Sequence, residues 1–295
     1  MGNLRTMTSK TASIESVGII GSGIMGSGIA EVAAKAGHTV IVRSRKRETA
    51  DDMVIRLEKS LGKQVEKGKL DESARDAVLA RVTATADLEA LAGCDLVIES
   101  VVEDLAVKKE LFGELDGIVD AGAILATNTS TLPVVELAVA TKRPDKVCGV
   151  HFFNPATAMS LVELVRPLTA SDETMATVRT FAESCGKTAV EVQDRAGFIV
   201  NALLFPYLNN AVRLLENGTA SRDDIDEAKK GGCNFPMGPL ALLDLVGLDT
   251  SLAIIDALYD EFRDPNYAAV PLLRRMVAAG HLGRKSGAGF YDYAR

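Results

Sequence analysis

Cysteine is scarce in this chain, and its few cysteines stand far apart. The 295 residues contain four, with no C-x-x-C pair among them. This spacing excludes a disulfide framework and a cysteine-rich metal site, and it favours reduced thiols of the kind found in the cytosol. The cysteines, Cys94, Cys148, Cys185 and Cys233, therefore predict a cytoplasmic protein with no metal site.

Long apolar runs and an excess of positive charge are also missing. No stretch reaches the roughly eighteen apolar residues that a membrane-spanning helix needs. The net charge of −7 at pH 7 argues against a nucleic-acid-binding surface. Low-complexity tracts and internal repeats are absent from the sequence as well. We therefore expect small molecules, not nucleic acids or membranes, as partners.

Residues 1–13 are polar and contain no acidic side chain. They lack the apolar core of a secretory signal. Met1 to Thr6 formally fits the pattern for myristoylation, but nothing else in the chain points to a membrane. We interpret the segment as a disordered leader, with a short transit peptide as the alternative.

A glycine-rich turn lies near the start of the chain, between the strand-like run Val17–Ile20 and a helical stretch that ends at Gly37. Strand, G-x-G-x-x-G and helix, in that order, form the context that a dinucleotide-binding fingerprint requires. The first glycine permits a tight turn, the second lets the backbone approach a pyrophosphate, and the third allows helix and strand to pack closely. The predicted cofactor contacts here are Gly21, Ser22, Gly23, Ile24, Met25 and Gly26.

Apolar strand-like runs alternate with helical stretches from residue 14 to residue 195. This alternation predicts a mainly parallel sheet that is covered by helices on both faces. An apolar share of 47% and a charged share of 25% are ordinary for a soluble globular protein. The predicted strands are Val17–Ile20, Thr39–Val42, Leu96–Glu99, Ile124–Thr127, Val147–Phe152, Leu161–Val165 and Thr188–Val192.

The pattern changes to helices alone from Gly197 onward. The predicted helices are 198–216, 222–231, 239–262 and 270–280, with Gly247 among the interruptions. We therefore predict two domains. A Rossmann-like, doubly wound α/β domain spans 14–195, and an all-α domain spans 196–295.

One of the three histidines, His151, ends an apolar run that is typical of a buried strand, and Glu163 lies within a second such run. Two titratable side chains are costly to bury at these positions unless they pair. We infer that Glu163 orients the His151 ring and stabilises its protonated form for general acid–base catalysis. Spacing alone leaves an alternative, a hydrogen-bonded core histidine beside an unrelated surface glutamate.

A stripe of basic residues is predicted on one helix. Arg56, Lys59, Lys63 and Lys67 are three or four residues apart, so they share a helix face. On an acidic protein, this stripe suits the phosphates of a large anionic substrate. The alternative is an ordinary solvated helix face.

Several motifs follow one another in a fixed order over about residues 16–293. They are Gly21-x-Gly23-x-x-Gly26, Asn128-Thr129-Ser130, His151-Phe152-Phe153-Asn154-Pro155, Glu163, Gly197-Phe198-Ile199-Val200-Asn201, Pro236-Met237-Gly238-Pro239 and the ending Gly289-Phe290-Tyr291. In this order they resemble those of the 3-hydroxyacyl-CoA dehydrogenases, particularly the monofunctional 3-hydroxybutyryl-CoA dehydrogenases.

The resemblance implies hydride transfer between C3 of a short-chain (3S)-3-hydroxyacyl-CoA and a nicotinamide cofactor, with a 3-oxoacyl-CoA as the oxidised partner. It makes His151 the base that takes the C3 hydroxyl proton, or returns it during reduction. Glu163 is then the partner that orients His151. Ser130 hydrogen-bonds the substrate oxygen, and Asn201 reaches the substrate at an interdomain cleft.

Further contacts are implied by the same resemblance. Those with the cofactor are Glu103, Lys108, Asn154 and Lys285, and those with coenzyme A are Ser60 and Lys67, to which the basic stripe adds Lys63. The alternatives are an ordinary surface ion pair for Glu103 and Lys108, and a solvated loop charge for Lys285. A homodimer formed through the helical domain is also implied.

The end of the second predicted strand departs from the family pattern. NAD-preferring members carry an acidic residue there, which binds the ribose 2′-hydroxyl. Here Ser44 takes that position within the basic run Arg43–Arg47. Basic side chains hold a 2′-phosphate by charge-assisted hydrogen bonds, and a bound anion relieves the conflict between positive charge and a helix N-terminus.

We therefore predict that NADP(H) is preferred over NAD(H), which remains possible, with Ser44 and Arg45 as the specificity contacts. The alternative for the basic run is a solvated charge cluster. Two other functions also stay open. One is a sugar-acid dehydrogenase that resembles L-gulonate 3-dehydrogenase, which has no use for the basic stripe. The other is a dinucleotide-binding protein that has lost catalysis.

Overall fold

The computed structural model describes residues 13–294. The predicted leader, with its myristoylation pattern, falls on residues 1–13, and all but the last of these lie outside the described residues. The chain divides into two compact units between Asp194 and Arg195. Within residues 13–294, no helix has both the length and the apolar character needed to cross a bilayer.

An eight-stranded sheet forms the centre of the first unit, with the strand order β3-β2-β1-β4-β5-β6-β7-β8. Neighbouring strands run parallel except β6 and β7, which are antiparallel. The predicted Rossmann-like, mainly parallel sheet is confirmed. The strands are β1 Ser16–Ile20, β2 Thr39–Arg43, β3 Val82–Thr85, β4 Leu96–Glu99, β5 Ile124–Thr127, β6 Val147–Phe152, β7 Leu161–Arg166 and β8 Thr188–Gln193.

Helices connect these strands, and local capping explains where several of them begin. The side chains of Asp71, Asp104 and Ser171 each accept a hydrogen bond from the backbone N–H three residues on, which satisfies a donor at the helix start. The helices of this unit are α1 Ile24–Lys35, α2 Arg47–Glu66, α3 Glu72–Leu79, α4 Leu105–Ile118, α5 Val134–Ala138 and α6 Asp172–Ser184.

Strand β3 is absent from the sequence-based prediction. Its residues, Val82–Thr85, are small and only partly buried, and β2 is its single neighbour in the sheet. An edge strand of this kind lacks the continuous apolar run that marks a strand buried on both faces. The central strands β1, β4, β5, β6 and β7 match the predicted runs closely because they are mostly buried.

The second unit consists of helices around its own apolar core. The core includes Leu208, Leu243 and Leu258. Gly247, with φ at +102°, separates two helices within the segment predicted as 239–262. The helices are α7 Val200–Glu216, α8 Arg222–Cys233, α9 Pro239–Val246, α10 Leu248–Phe262 and α11 Pro271–Ala278.

Asp226, on α8, is a buried acid that holds the start of α9. Its carboxylate accepts hydrogen bonds from the backbone N–H groups of Leu240 at 2.8 Å and Ala241 at 2.9 Å. The hydroxyl of Tyr291 donates a third, at 2.9 Å. Asp226 therefore caps α9 and ties it to the C-terminal segment.

Asp244, on α9, is a second buried acid with a similar role. It is 1% exposed. It accepts from the backbone N–H groups of Phe290 and Tyr291, each at 2.9 Å, and from the hydroxyl of Tyr293 at 3.1 Å. The carboxylate thus fastens the C-terminal segment to the helical core.

Candidate active site

The glycine-rich turn after β1 has the shape that a bound dinucleotide needs. A Cβ on Gly21, whose φ is +120°, would lie 2.2 Å from the Ser100 carbonyl oxygen, and one on Gly26 would lie 2.0 Å from the Gly21 oxygen. Both positions therefore require glycine. At Gly23, a Cβ would meet no atom within 4 Å from the part of the chain that the structure describes. This open space is where a pyrophosphate can approach the backbone.

Helix α1 begins at this turn without a side-chain cap. Gly23 is its N-cap residue, and within residues 13–294 no side chain caps the helix start. Unsatisfied N–H groups and the positive end of the helix dipole together favour a phosphate. The residues present thus fit a dinucleotide cofactor.

Ser44 lies just beyond β2, beside the glycine-rich turn. It is buried. Its hydroxyl lies 3.2 Å from the Ser22 hydroxyl and 2.6 Å from that of Thr49. Ser44, which the sequence predicts to be a specificity contact, therefore faces the glycine-rich turn as a small neutral group.

The basic side chains around Ser44 differ in their surroundings. Arg43 donates to the Ala86 carbonyl at 3.2 Å, and Arg47 pairs with Asp51 at 2.9 Å. Arg45 is exposed and forms no salt bridge with any residue from 13 to 294. Of these three arginines, only Arg45 has no ion-pair or side-chain hydrogen-bond partner among the described residues, 13–294.

His151 and Glu163 form a buried pair between the two antiparallel strands. They are directly opposite in the register of β6 and β7. His151 Nδ1 lies 2.8 Å from Glu163 Oε2, and the two residues are 6% and 1% exposed. The Phe153 ring packs against the imidazole, with 4.5 Å between ring centroids. A buried imidazole held by a carboxylate is suited to proton transfer.

Asn128, directly after β5, links the carboxyl ends of the neighbouring strands β4, β5 and β6. Its Oδ1 accepts from the Phe152 backbone N–H at 2.8 Å, and its Nδ2 donates to the Ser100 hydroxyl at 3.3 Å. The turn after β5 is therefore fixed next to His151. Parallel sheets of this type bind ligands at this edge.

Ser130 lies in the same turn and is held by Glu103. Its backbone N–H donates to Glu103 Oε1 at 3.0 Å, and its hydroxyl lies 3.5 Å from the same oxygen. The Thr129 hydroxyl also donates to Oε1. One carboxylate oxygen thus orders the backbone and the side chain of this turn.

Lys108 lies between two acidic side chains. Its Nζ is 2.6 Å from Glu99 Oε1 and 3.3 Å from Glu103 Oε2. Lys108 is 1% exposed and Glu99 is 0% exposed, so Lys108 has a buried partner in addition to Glu103, whose side chain is 39% exposed. Sequence reasoning missed Glu99. The signal was a lone acid at the end of the apolar run Leu96–Glu99, nine residues before a lysine.

Three lysines of the basic stripe, Lys59, Lys63 and Lys67, are exposed along α2 and its C-terminal end. Arg56 differs, because its guanidinium donates to the Ser22 carbonyl at 2.9 Å. Arg56 therefore belongs with the glycine-rich turn, and the stripe is reduced to the three lysines.

Ser60 faces α1. Its hydroxyl donates to Glu31 Oε2 at 2.8 Å, and Glu31 is buried. Lys35 and Gln64 complete the environment of that carboxylate at 2.9 Å and 2.8 Å. This network fixes α2 against α1.

The remaining predicted site residues lie in other segments. Asn154 is the second residue after β6, and its bond to Pro155 is cis. Asn201 is a buried residue in the first turn of α7. In the second unit, Lys285 pairs with Asp249, with 2.5 Å between Nζ and Oδ1.

Comparison with known protein families accounts for both units. The NAD binding domain of 3-hydroxyacyl-CoA dehydrogenase matches residues 16–195, and the C-terminal domain of the same enzyme matches residues 197–293. The chain belongs to the 3-hydroxyacyl-CoA dehydrogenase family. It is thus an oxidoreductase whose first unit binds a nicotinamide dinucleotide.

Individual 3-hydroxyacyl-CoA dehydrogenases are similar over nearly their whole length. A 3-hydroxybutyryl-CoA dehydrogenase of Mycobacterium tuberculosis is 50% identical over 287 residues, which cover 95% of this chain and 99% of that protein. One from Clostridioides difficile is 48% identical, with coverages of 93% and 98%. The crystal structure of (S)-3-hydroxybutyryl-CoA dehydrogenase from Ralstonia eutropha matches with a TM-score of 0.94 at 43% identity, and covers 96% of this chain and 100% of that one.

Proposed function

We propose that this family member interconverts short-chain (3S)-3-hydroxyacyl-CoA and 3-oxoacyl-CoA, with 3-hydroxybutyryl-CoA and acetoacetyl-CoA as the substrate pair. The observation that carries this proposal is the buried contact between His151 Nδ1 and Glu163 Oε2, at 2.8 Å. A hydroxyl that loses a hydride must also lose a proton, and a carboxylate-supported imidazole suits that step near neutral pH. The names of the similar enzymes support the choice of substrate.

His151 takes the C3 hydroxyl proton during oxidation and returns it during reduction. Glu163 accepts from Nδ1, so the proton exchanged with the substrate moves through Nε2. The carboxylate also stabilises the positive charge that the ring gains. When bound, the nicotinamide accepts or supplies the hydride.

Ser130 orients the substrate oxygen. Glu103 supports this role because its Oε1 accepts from the Ser130 backbone N–H at 3.0 Å. A fixed backbone limits the positions that the hydroxyl can take, which favours a reactive geometry. The motif around Asn201 supports a further substrate contact by that side chain.

The cofactor is held by the glycine-rich turn and by the residues that follow the strands. Glu103, Lys108, Asn154 and Lys285 are the proposed further contacts. NADP(H) is preferred over NAD(H) because Ser44 brings no negative charge to the ribose. Exposed Arg45 supplies the positive charge for a 2′-phosphate.

Coenzyme A is bound in part by α2. Lys63 and Lys67 are exposed on this helix and can reach phosphate groups without breaking an ion pair within residues 13–294. Ser60 is the neighbouring polar contact, oriented by buried Glu31 at 2.8 Å. Screening by salt should weaken these exposed interactions.

The protein is further proposed to act as a cytoplasmic homodimer. All four cysteines are free thiols, which fits a reducing compartment. The second unit carries exposed apolar side chains, including Leu203, Leu245 and Phe262. Such side chains on an otherwise polar surface favour a protein–protein contact.

A direct assay tests the reaction. The purified protein is tested for acetoacetyl-CoA reduction with NADH and with NADPH, and for gulonate oxidation with NAD⁺ and with NADP⁺. We expect turnover of acetoacetyl-CoA only, faster with NADPH. Turnover of gulonate alone would favour the sugar-acid dehydrogenase, and cofactor binding without any turnover would favour a non-catalytic protein. Longer 3-oxoacyl-CoA thioesters then define the chain-length range.

A further inference from the structure

Glu99 is a fully buried acid at the end of β4, and the reaction proposed above does not use it directly. Three donors surround its carboxylate. Oε1 accepts from Lys108 Nζ at 2.6 Å and from the Val101 backbone N–H at 2.6 Å, and Oε2 accepts from the Thr127 hydroxyl at 2.8 Å. A buried charge is tolerated only with such complete hydrogen bonding.

The first route from Glu99 to the site passes through Lys108. This lysine contacts Glu99 at 2.6 Å and Glu103 at 3.3 Å. The ammonium group is thus closer to Glu99 than to Glu103. Glu103 Oε1 can then accept from the Ser130 backbone N–H and from the Thr129 hydroxyl.

The second route passes through Thr127. Its hydroxyl donates to Glu99 and accepts from the Thr129 backbone N–H at 3.2 Å. The Thr127 hydroxyl has one proton. It can donate that proton to Glu99 and accept from Thr129 only if the Glu99 oxygen facing it is an acceptor. The negative charge of Glu99 thus sets the direction of the hydrogen bonds that shape the turn of residues 128–130.

We propose that Glu99 is a positioning residue for the hydride-transfer reaction, which acts through Lys108 and Thr127 on Glu103 and Ser130. The proposal rests on the roles given above to Glu103 and Ser130. A displacement of about 1 Å in a reacting group can cost about 10²-fold in rate. The charge of Glu99 is therefore needed for turnover, beyond any effect on stability.

The test is Glu99→Gln, which keeps the shape and removes the charge. We expect kcat for acetoacetyl-CoA reduction to fall by about 10²-fold. We expect the dissociation constant of NADPH, measured by its fluorescence, to rise about tenfold, as for the loss of one charge-assisted contact. All measurements are made well below the thermal midpoint of the variant, with the folded fraction checked by circular dichroism.

Asp116→Asn is the matched control. Asp116 lies on the same helix, α4, and forms a largely buried pair with Arg143 at 2.7 Å. This variant should lower the thermal midpoint while kcat and the NADPH dissociation constant stay at wild-type values. It therefore reports what the loss of a structural ion pair does to this helix.

A second variant, Thr127→Val, is nearly isosteric and covers the case in which Glu99→Gln does not fold. It should lower kcat and weaken NADPH binding, in each case by less than Glu99→Gln does.

Wild-type kcat and NADPH affinity in the folded variants, with only a lower thermal midpoint, would overturn the proposal. If the wild type did not reduce acetoacetyl-CoA, the substrate would be wrong. The NADPH affinity would still decide the role of Glu99.

Discussion

The two units bury their acidic side chains with different partners. In the first unit, Glu163 faces His151 and Glu99 faces Lys108. In the second, Asp226 and Asp244 accept from backbone N–H groups and tyrosine hydroxyls, and neither forms a salt bridge with any residue from 13 to 294. Buried acids with titratable or cationic partners can take part in chemistry. Buried acids with neutral donors hold chain segments together.

The difference explains why burial alone does not identify an acid that takes part in chemistry. Asp244 and Glu163 are each 1% exposed. Both carboxylates avoid the cost of burial by accepting hydrogen bonds. What separates them is whether the donor can give up or gain a proton near neutral pH, which an imidazole can and a backbone amide cannot.

The largest effect is expected where a proton is exchanged. His151→Gln should lower kcat by about 10²–10⁴-fold, the usual contribution of a general acid–base group. NADPH affinity should change little, because the glycine-rich turn is untouched. Glu163→Gln should also reduce kcat. Steady-state kinetics measure kcat, and a binding titration measures NADPH affinity. Near wild-type turnover of His151→Gln would show that the base is another residue.

The opposite outcome is expected for the second unit. Asp244→Asn replaces an acceptor that serves two backbone N–H groups, and it leaves at least one of them unsatisfied. The free energy of unfolding should fall by about 1–3 kcal/mol, measured by urea denaturation. Turnover of the folded variant should remain close to wild type. If Asp244→Asn lowered turnover without lowering the free energy of unfolding, buried acids with neutral donors would no longer differ in role from those with titratable partners.

A third prediction concerns the proposed cofactor contacts Ser44 and Arg45 in the first unit, where the positive charge of Arg45 is exposed. Ser44→Asp combined with Arg45→Ala should reverse the preference from NADPH to NADH, by about tenfold or more, because one charge-assisted hydrogen bond contributes about 1.5–3 kcal/mol. The KM for acetoacetyl-CoA should stay nearly constant. Equal kcat/KM for NADH and NADPH in the unmodified protein would contradict the prediction.

A smaller effect is expected on α2, where the lysines are also exposed. Replacing Lys63 and Lys67 with alanine should raise the KM for acetoacetyl-CoA and weaken its dependence on salt, since screening acts on exposed charges. Lys59→Ala tests the third lysine of the stripe in the same assay. An unchanged KM at low salt would mean that the stripe is a solvated helix face.

The smallest effect is expected from Asp116, near the C-terminal end of α4, where it pairs with Arg143. Burial works against its ionisation, but the Lys142 backbone N–H and the Arg143 guanidinium outweigh it and lower the pKa of Asp116. A lowered pKa contributes stability that is present above the unfolded pKa, about 3.9, and is lost as pH falls through the folded pKa. The stability difference between wild type and Asp116→Asn should therefore shrink below about pH 4. Urea denaturation at several pH values tests this, and a constant difference would contradict it.

The sequence predicted the sheet because its central strands are continuous apolar runs. It also allowed the pair of His151 and Glu163 to be inferred, since two titratable groups in such runs need each other. It could not show that β7 runs antiparallel to β6, because strand direction depends on long-range pairing. Glu99 escaped notice because its role depends on Thr127, a partner that no local spacing indicates.

The antiparallel pairing of β6 and β7 has a consequence for how this enzyme tolerates insertions and deletions. His151 and Glu163 meet through strand register, not through the length of the segment between the strands. Residues added to that connecting segment leave the pair opposite each other, as long as the strands keep their register. A single residue deleted within β7, before Glu163, would turn the carboxylate to the other face of the sheet. The contact between His151 and Glu163 is therefore insensitive to loop length and highly sensitive to strand length.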